Sequence, residues 1–458
     1  MHGFQADNFI SYEIENRIFS DQALKAMIVP LFLEQLLLLL VGMADTLVVS
    51  YAGEAAVSGV SLVNQFNTVF IFLFTALASG GAVVISQYIG RKDDGKAGES
   101  ASQLLMFSAV FSIVLMAGIL TTNRSLLRLL FGKVEEDVMA ACVTYLRISA
   151  YSYPALAVYN AGAALCRSVG KTKVTMYISI AANVINVLGN LIGVFWLHAG
   201  VAGVAYPSLL SRLFSAAAVT WFCFGKENAV RYRIKWMIRW NRGLLQRIWN
   251  IAVPNGVENG IFQLVKVALS SIVALFGTYQ IAANGVAQSI WSLAAMCGTV
   301  MGTVFITVIG QCMGAKDTLA AEYYFKKLMK LTVLLSVTWN LLILGLTPVF
   351  LKFYALEPET AKIVIWLVVI HNICNAVVYP YSGALGNGLR ATGDVRFTMV
   401  IAIASTVGIR LILSWLFGIV FQMGVIGIAL AMCLDWMIRA MIYYGRLKSG
   451  KWKEFQVI

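Results

Sequence analysis

Residues 28–53 read IVPLFLEQLLLLLVGMADTLVVSYAG, and this stretch decides the fold. It is long enough to cross a bilayer as a helix. It also carries a helix-bending proline, Pro30, and two carboxylates, Glu34 and Asp45. An ionisable residue inside a span is costly and by default marks a pathway, a proton relay or an ion site.

The rest of the chain repeats that character. Of 458 residues 59% are hydrophobic and only 12% charged, about half the charged share of a soluble domain. Apolar runs of membrane-crossing length recur from end to end, which predicts an all-α membrane protein. The ten-residue alternation of a membrane β-barrel is absent. The net charge of +13 resides in short loops, so it speaks for anionic lipid headgroups and topology rather than nucleic acid. Residues 1–23 carry Asp7, Glu13, Glu15, Arg17 and Asp21 and do not read as a cleavable signal peptide. The seven cysteines are scattered without a CxxC, and His2, His198 and His371 lie far apart. The cysteines read as small core hydrophobes, and no metal centre, cofactor or enzymatic cluster is expected.

Apolar runs predict twelve transmembrane helices, at 24–51, 56–88, 98–121, 138–166, 174–197, 202–224, 248–275, 280–312, 321–346, 361–389, 396–421 and 424–446. Lys and Arg concentrate after the even-numbered spans and in the tail, which puts both termini in the cytoplasm. The expected organisation is a cytoplasmic segment (1–23), a six-helix bundle (24–225), a basic linker (226–247), a second bundle (248–446) and a cytoplasmic tail (447–458). Trp236, Met237, Ile238 and Trp240 suggest that the linker is amphipathic and lies at the interface.

The two halves are copies. Pro30 and Glu34 return as Pro254 and Glu258, Gly53 as Gly277, and VISQYIGRKD (84–93) as VIGQCMGAKD (308–317), all 224 residues on. CRSVGKTKVTM (166–176) returns as LRATGDVRFTM (389–399) at 223. Six spans per copy give the halves one orientation, hence two bundles related as parallel repeats, as in transporters that rock around a central cleft.

Depth groups the polar residues of the first half. Asp45, Tyr145, Asn186, Asn190 and Ser208 fall roughly 9–17 Å below the outer helix ends at ~1.5 Å per residue. A carboxylate, carboxamides and hydroxyls suit sodium, while a carboxyl in low dielectric suits proton uptake. Hydrogen bonding between packed helices is the competing reading, weaker for Asp45 because an intramembrane acid is functional by default.

Glu34 and Glu258 occupy equivalent places in spans 1 and 7. Facing acids would attract a cationic drug; alternatively each bonds nearby backbone or a basic partner such as Lys266. On span 8, Trp291, Met296, Met301 and Phe305 suit either an apolar pocket or ordinary packing. Asp435 and Arg439 share a helix face, with Arg410 at similar depth, which predicts a structural ion-pair network.

Pro30 followed by Asp45-Thr46, the QYIGRKD and QCMGAKD span ends, YLRI (145–148), the CRSVG and LRATGD loops, the Asn-x3-Asn of span 5 and GVAGVA (200–205) occur in order from about 24 to 446. This set resembles the multidrug and toxic compound extrusion (MATE) family, bacterial type. The resemblance implies a twelve-helix antiporter in the cell membrane that exports cationic, amphipathic compounds in exchange for protons or sodium. It places the coupling site at Asp45, Tyr145, Asn186, Asn190 and Ser208 and a hinge at Pro30. Ser208 stands where a threonine is usual and Asn190 where one branch has an aspartate, which leans slightly toward sodium. Asp45 corresponds to Leu269 in the second half, and Asn186 and Asn190 to Ile409 and Leu413, so coupling is expected to be asymmetric. Small cationic substrates and membrane lipids are the expected partners, with no nucleic acid and a monomeric chain. A lipid-linked precursor flippase of the same superfamily and a non-transporting scaffold or receptor are the alternatives.

Overall fold

In the computed structural model, residues 18–131, 135–354, 356–455 and 457–458 are described. Most of the expected cytoplasmic segment 1–23 lies outside them. The fold is all-α, and it is the twelve-helix, two-bundle arrangement that the repeats call for. Eleven helices among the described residues are long and apolar enough to cross a membrane.

The chain forms two compact units. Among the described residues, one holds 29–256 and the other 257–458 together with 18–28. The boundaries thus fall inside the two proline-bearing helices rather than at 24, 225 and 248. Contacts explain the shift. Tyr324 holds Phe19 through two hydrogen bonds of 2.8 and 2.9 Å, and Lys327 pairs with Asp21 at 2.5 Å. The start of the second proline helix packs on the first unit, where a Cβ on Gly80 would meet the Ile248 carbonyl at 2.8 Å.

The first unit contains most of α1 (Asp21–Ser50), then α2 (Glu54–Gly90), α3 (Asp94–Phe131), α4 (Glu136–Tyr151), α5 (Tyr153–Ser168), α6 (Thr172–Leu191) and α7 (Ala202–Phe224). Helix α5 packs on α2, α3 and α7, and α6 on α7. The expected span 138–166 is a pair of sixteen-residue helices, α4 and α5, joined at Ser152. Pro154 supplies no amide hydrogen to continue the ladder through that joint.

A π-helical turn, Ile192–Trp196, ends α6 and lets its backbone approach α7. A Cβ on Gly193 would stand 2.2 Å from the Gly203 carbonyl oxygen, so only glycine fits there. The linker contains one short helix, α8 (Ile234–Ile238). It is docked on α3: Gln103 donates to the Trp236 carbonyl and, at 2.8 Å, to that of Arg239, while Asn241 donates to Glu99 at 2.9 Å.

The second unit is built from the remainder of α9 (Arg242–Ala274), α10 (Thr278–Ala294), α11 (Met296–Gly314), α12 (Thr318–Phe353), α13 (Pro358–Val377), α14 (Leu385–Thr392), α15 (Val395–Ile403), α16 (Ile412–Trp415) and α17 (Gly424–Ser449). π-helical turns punctuate the chain at Pro380–Ala384, Ala404–Leu411 and Leu416–Val420. Gly53 and Gly277 precede α2 and α10 with φ of 105° and 92°, a left-handed conformation that a side chain would strain. The seven cysteines are all buried and free.

Candidate coupling site and buried ion pairs

Asp45 is half-buried on α1 and faces the Asn-x3-Asn of α6. Residues four apart lie one above the other on a helix, so both amides reach one carboxylate. Asn186 Nδ2 donates to Asp45 Oδ2 at 2.9 Å and Asn190 Nδ2 to Oδ1 at 2.7 Å. Ser208 Oγ, on α7, is 3.2 Å from Asn186 Oδ1. Asn190 is fully buried, and its Oδ1 has no hydrogen-bond partner among the described residues.

Tyr145 does not join this set directly. Its hydroxyl donates to Asn64 Oδ1 at 3.1 Å, a partner on α2 that depth arguments could not identify. The related hydroxyl of Tyr153 donates to Asn67 Oδ1 at 2.7 Å.

A cavity of about 280 Å3 opens beside Asp45, lined also by Tyr159, Asn183, Asn186, Ser208 and Arg212. The sequence reading missed Arg212, although an arginine within an apolar span was a visible signal. Its Nη1 donates to Ser152 Oγ at 2.6 Å, at the joint between α4 and α5. The cavity therefore holds one acid and one guanidinium.

Pro30 is buried within an otherwise continuous α1, as Pro254 is contained within α9. Glu34, 3% exposed, accepts from Arg167 Nη2 at 2.9 Å, from Thr175 Oγ1 at 2.8 Å and from the Tyr159 hydroxyl at 3.2 Å. Its repeat counterpart Glu258 is gripped by Arg390, whose Nη2 lies 2.6 and 2.5 Å from the two carboxylate oxygens. Each acid is thus paired with a guanidinium, the kind of basic partner that the second of the two readings of these acids calls for. The partner of Glu258 is Arg390, not Lys266, which is exposed and lies 5.2 Å from the Phe262 ring centroid.

Arg410, Asp435 and Arg439 do come together. Arg410 Nε and Nη2 approach Asp435 Oδ2 at 2.9 and 2.5 Å, and Arg439 Nη2 approaches Oδ1 at 3.0 Å. Ser405 donates to Asp435 and Thr406 accepts from Arg439 at 2.7 Å. These two acceptors and donors were not foreseen because they lie on the π-helical turn of the preceding span. Trp291 is half-buried against Trp436, their rings 5.9 Å apart, whereas Met296 is buried in the core.

The MatE family profile matches residues 30–192 and 254–416, the same segment twice at a separation of 224 residues. The chain is 26% identical over 438 residues to the uncharacterized transporter YisQ of Bacillus subtilis, covering 92% of this chain and 93% of that one. It is 24% identical to the probable multidrug resistance protein NorM of Thermotoga maritima, covering 93% and 91%. A crystal structure of a MATE protein in the bent conformation shares the fold, with a TM-score of 0.84 at 18% identity, over 94% of this chain and 96% of that one. The chain belongs to the MATE family of multidrug efflux transporters.

Proposed function

We propose that the protein is a secondary antiporter that exports amphipathic cations in exchange for protons or sodium, with Asp45 as the coupling group. The observation that carries this reading is the grip of Asn186 and Asn190 on one intramembrane carboxylate, in a cavity shared with Arg212. In this view both termini face the cytoplasm, and a monomer surrounded by lipid does the work without enzymatic chemistry.

Charge supplies the exchange rule. With Asp45 ionised, the cavity's acid balances Arg212 and tolerates a cationic guest. Once a proton or sodium ion neutralises Asp45, the guanidinium is left in excess and repels that guest. The same event reverses what Asp45 asks of its neighbours. A protonated carboxyl must donate, and a bound sodium needs oxygen ligands, whereas Asn190 presents its amide nitrogen. Rotating the Asn190 amide would present Oδ1, the buried atom that has no partner among the described residues. Asn186 Oδ1 and Ser208 Oγ would complete an oxygen-rich set.

Drug uptake into proteoliposomes under separately imposed proton and sodium gradients tests the proposal. Accumulation driven by one gradient and lost in Asp45→Asn is expected. Transport that ignores both gradients, or that survives the substitution, overturns it.

A further inference from the structure

The second unit has a cavity of its own, of about 210 Å3, with a different chemistry. Arg390, Arg410 and Arg439 line it together with Glu258. Asp435, fully buried, lies against Arg410 and Arg439. Three guanidinium groups thus meet two carboxylates, one positive charge in excess. Lys266, exposed and outside the lining, brings a further positive charge close by, since its Nζ and the Arg410 guanidinium each lie 5.2 Å from the ring centroid of Phe262, which lines the cavity.

The donors are not all spent. Arg410 uses Nε and Nη2 on Asp435, and Arg439 uses Nε and Nη2 on Ser405, Thr406 and Asp435. The Nη1 of Arg410 and that of Arg439 make no hydrogen bond among the described residues. Trp291 Nε1, from another lining residue, is buried with no partner among the described residues. A buried donor left unpaired is costly, and guanidinium pairs suit planar oxyanions.

Aromatic rings form part of the remaining lining, beside polar and small residues such as Asn259, Asn387 and Ser382. Trp291 stacks on Trp436 at 5.9 Å, and Tyr379 lies 5.2 Å from Trp436. Drug-sized ligands occupy cavities above about 300 Å3, so this one accommodates a single aromatic group and its polar head. We infer that the second-unit cavity binds the carboxylate of a small aromatic anion, or the carboxylate-bearing end of a larger amphipathic substrate. The excess guanidinium charge and the Trp291 indole hold the carboxylate, and Trp436 and Tyr379 pack on the ring. That is a binding site for negative charge in a protein whose proposed cargo is cationic, and zwitterionic aromatic compounds reconcile the two.

Calorimetric titration of the full-length protein in detergent with naphthoate, naphthamide and naphthylmethylammonium tests this. Naphthoate should bind, with the amide and the ammonium weaker by at least about tenfold, because a charge-assisted hydrogen bond contributes that much. Arg439→Gln, Lys266→Gln and Trp291→Phe should each weaken naphthoate selectively. Arg439→Gln also loosens Asp435, so Lys266→Gln and Trp291→Phe, which break no ion pair, carry the test if that variant fails to accumulate. Equal binding of naphthoate and naphthamide, no binding of naphthoate, or unchanged affinity in these variants overturns the inference.

Discussion

Arg167 and Glu34 stand 133 residues apart in sequence, with guanidinium and carboxylate 2.9 Å apart in space. Arg390 and Glu258 reproduce the relationship at 132 residues and 2.5 Å. Duplication therefore preserved a tertiary contact as well as a sequence pattern. In each unit an arginine near the end of a helix closes on an acid four residues after the helix proline.

Removing one member of such a pair strands a buried charge. Arg167→Met should cost about 3–5 kcal/mol, and Arg167→Met combined with Glu34→Leu should recover much of the loss. Thermal unfolding of the purified variants measures both. A double variant no more stable than the single one would show that the two residues act independently.

Asp45→Asn should insert normally and abolish efflux. The asparagine keeps the volume and an acceptor but cannot change charge. Drug resistance of cells with matched membrane levels of both proteins provides the measurement, and normal resistance would remove Asp45 from the coupling role.

Asn190→Leu removes a donor from the Asp45 carboxylate and the amide that is proposed to rotate. A hydrogen bond to a charged group contributes about 1.5–3 kcal/mol, so the concentration of coupling ion giving half-maximal transport should move by tenfold or more. An unchanged ion dependence would mean that Asn190 only packs α6.

Gly193→Val places side-chain atoms where the Gly203 backbone already stands, 2.2 Å from the first added carbon. Overpacking of this kind costs about 1–3 kcal/mol, and a rigid backbone on the far side gives little relief. Lower yield and an earlier unfolding transition are expected, while Gly118→Ala, where nothing lies within 4 Å, should be neutral.

Asp435→Asn leaves Arg410 and Arg439 buried without their shared acid. The second unit should lose about 3 kcal/mol or more. Limited proteolysis under mild denaturant should show cleavage beginning within residues 257–458; cleavage unchanged from the parent would contradict a stabilising role for Asp435.

Composition and periodicity alone determined the membrane class, the span count and the duplication, because hydrophobic length and repeat spacing are one-dimensional properties. Asp45 with Asn186 and Asn190 was also legible, since depth along a helix can be counted from its ends. Partnership could not be counted. Arg167 and Arg390 looked like topogenic loop charges, yet each helix continues through them and brings its guanidinium onto Glu34 or Glu258. Tyr145 has the right depth for Asp45, but its rotation about the helix axis gives its hydroxyl to Asn64. Arg212, Ser152 and the α4–α5 joint form a unit only because three helices meet there. Sequence fixes how deep a residue lies; packing decides which way it faces, and the charge balance of a cavity depends on the second.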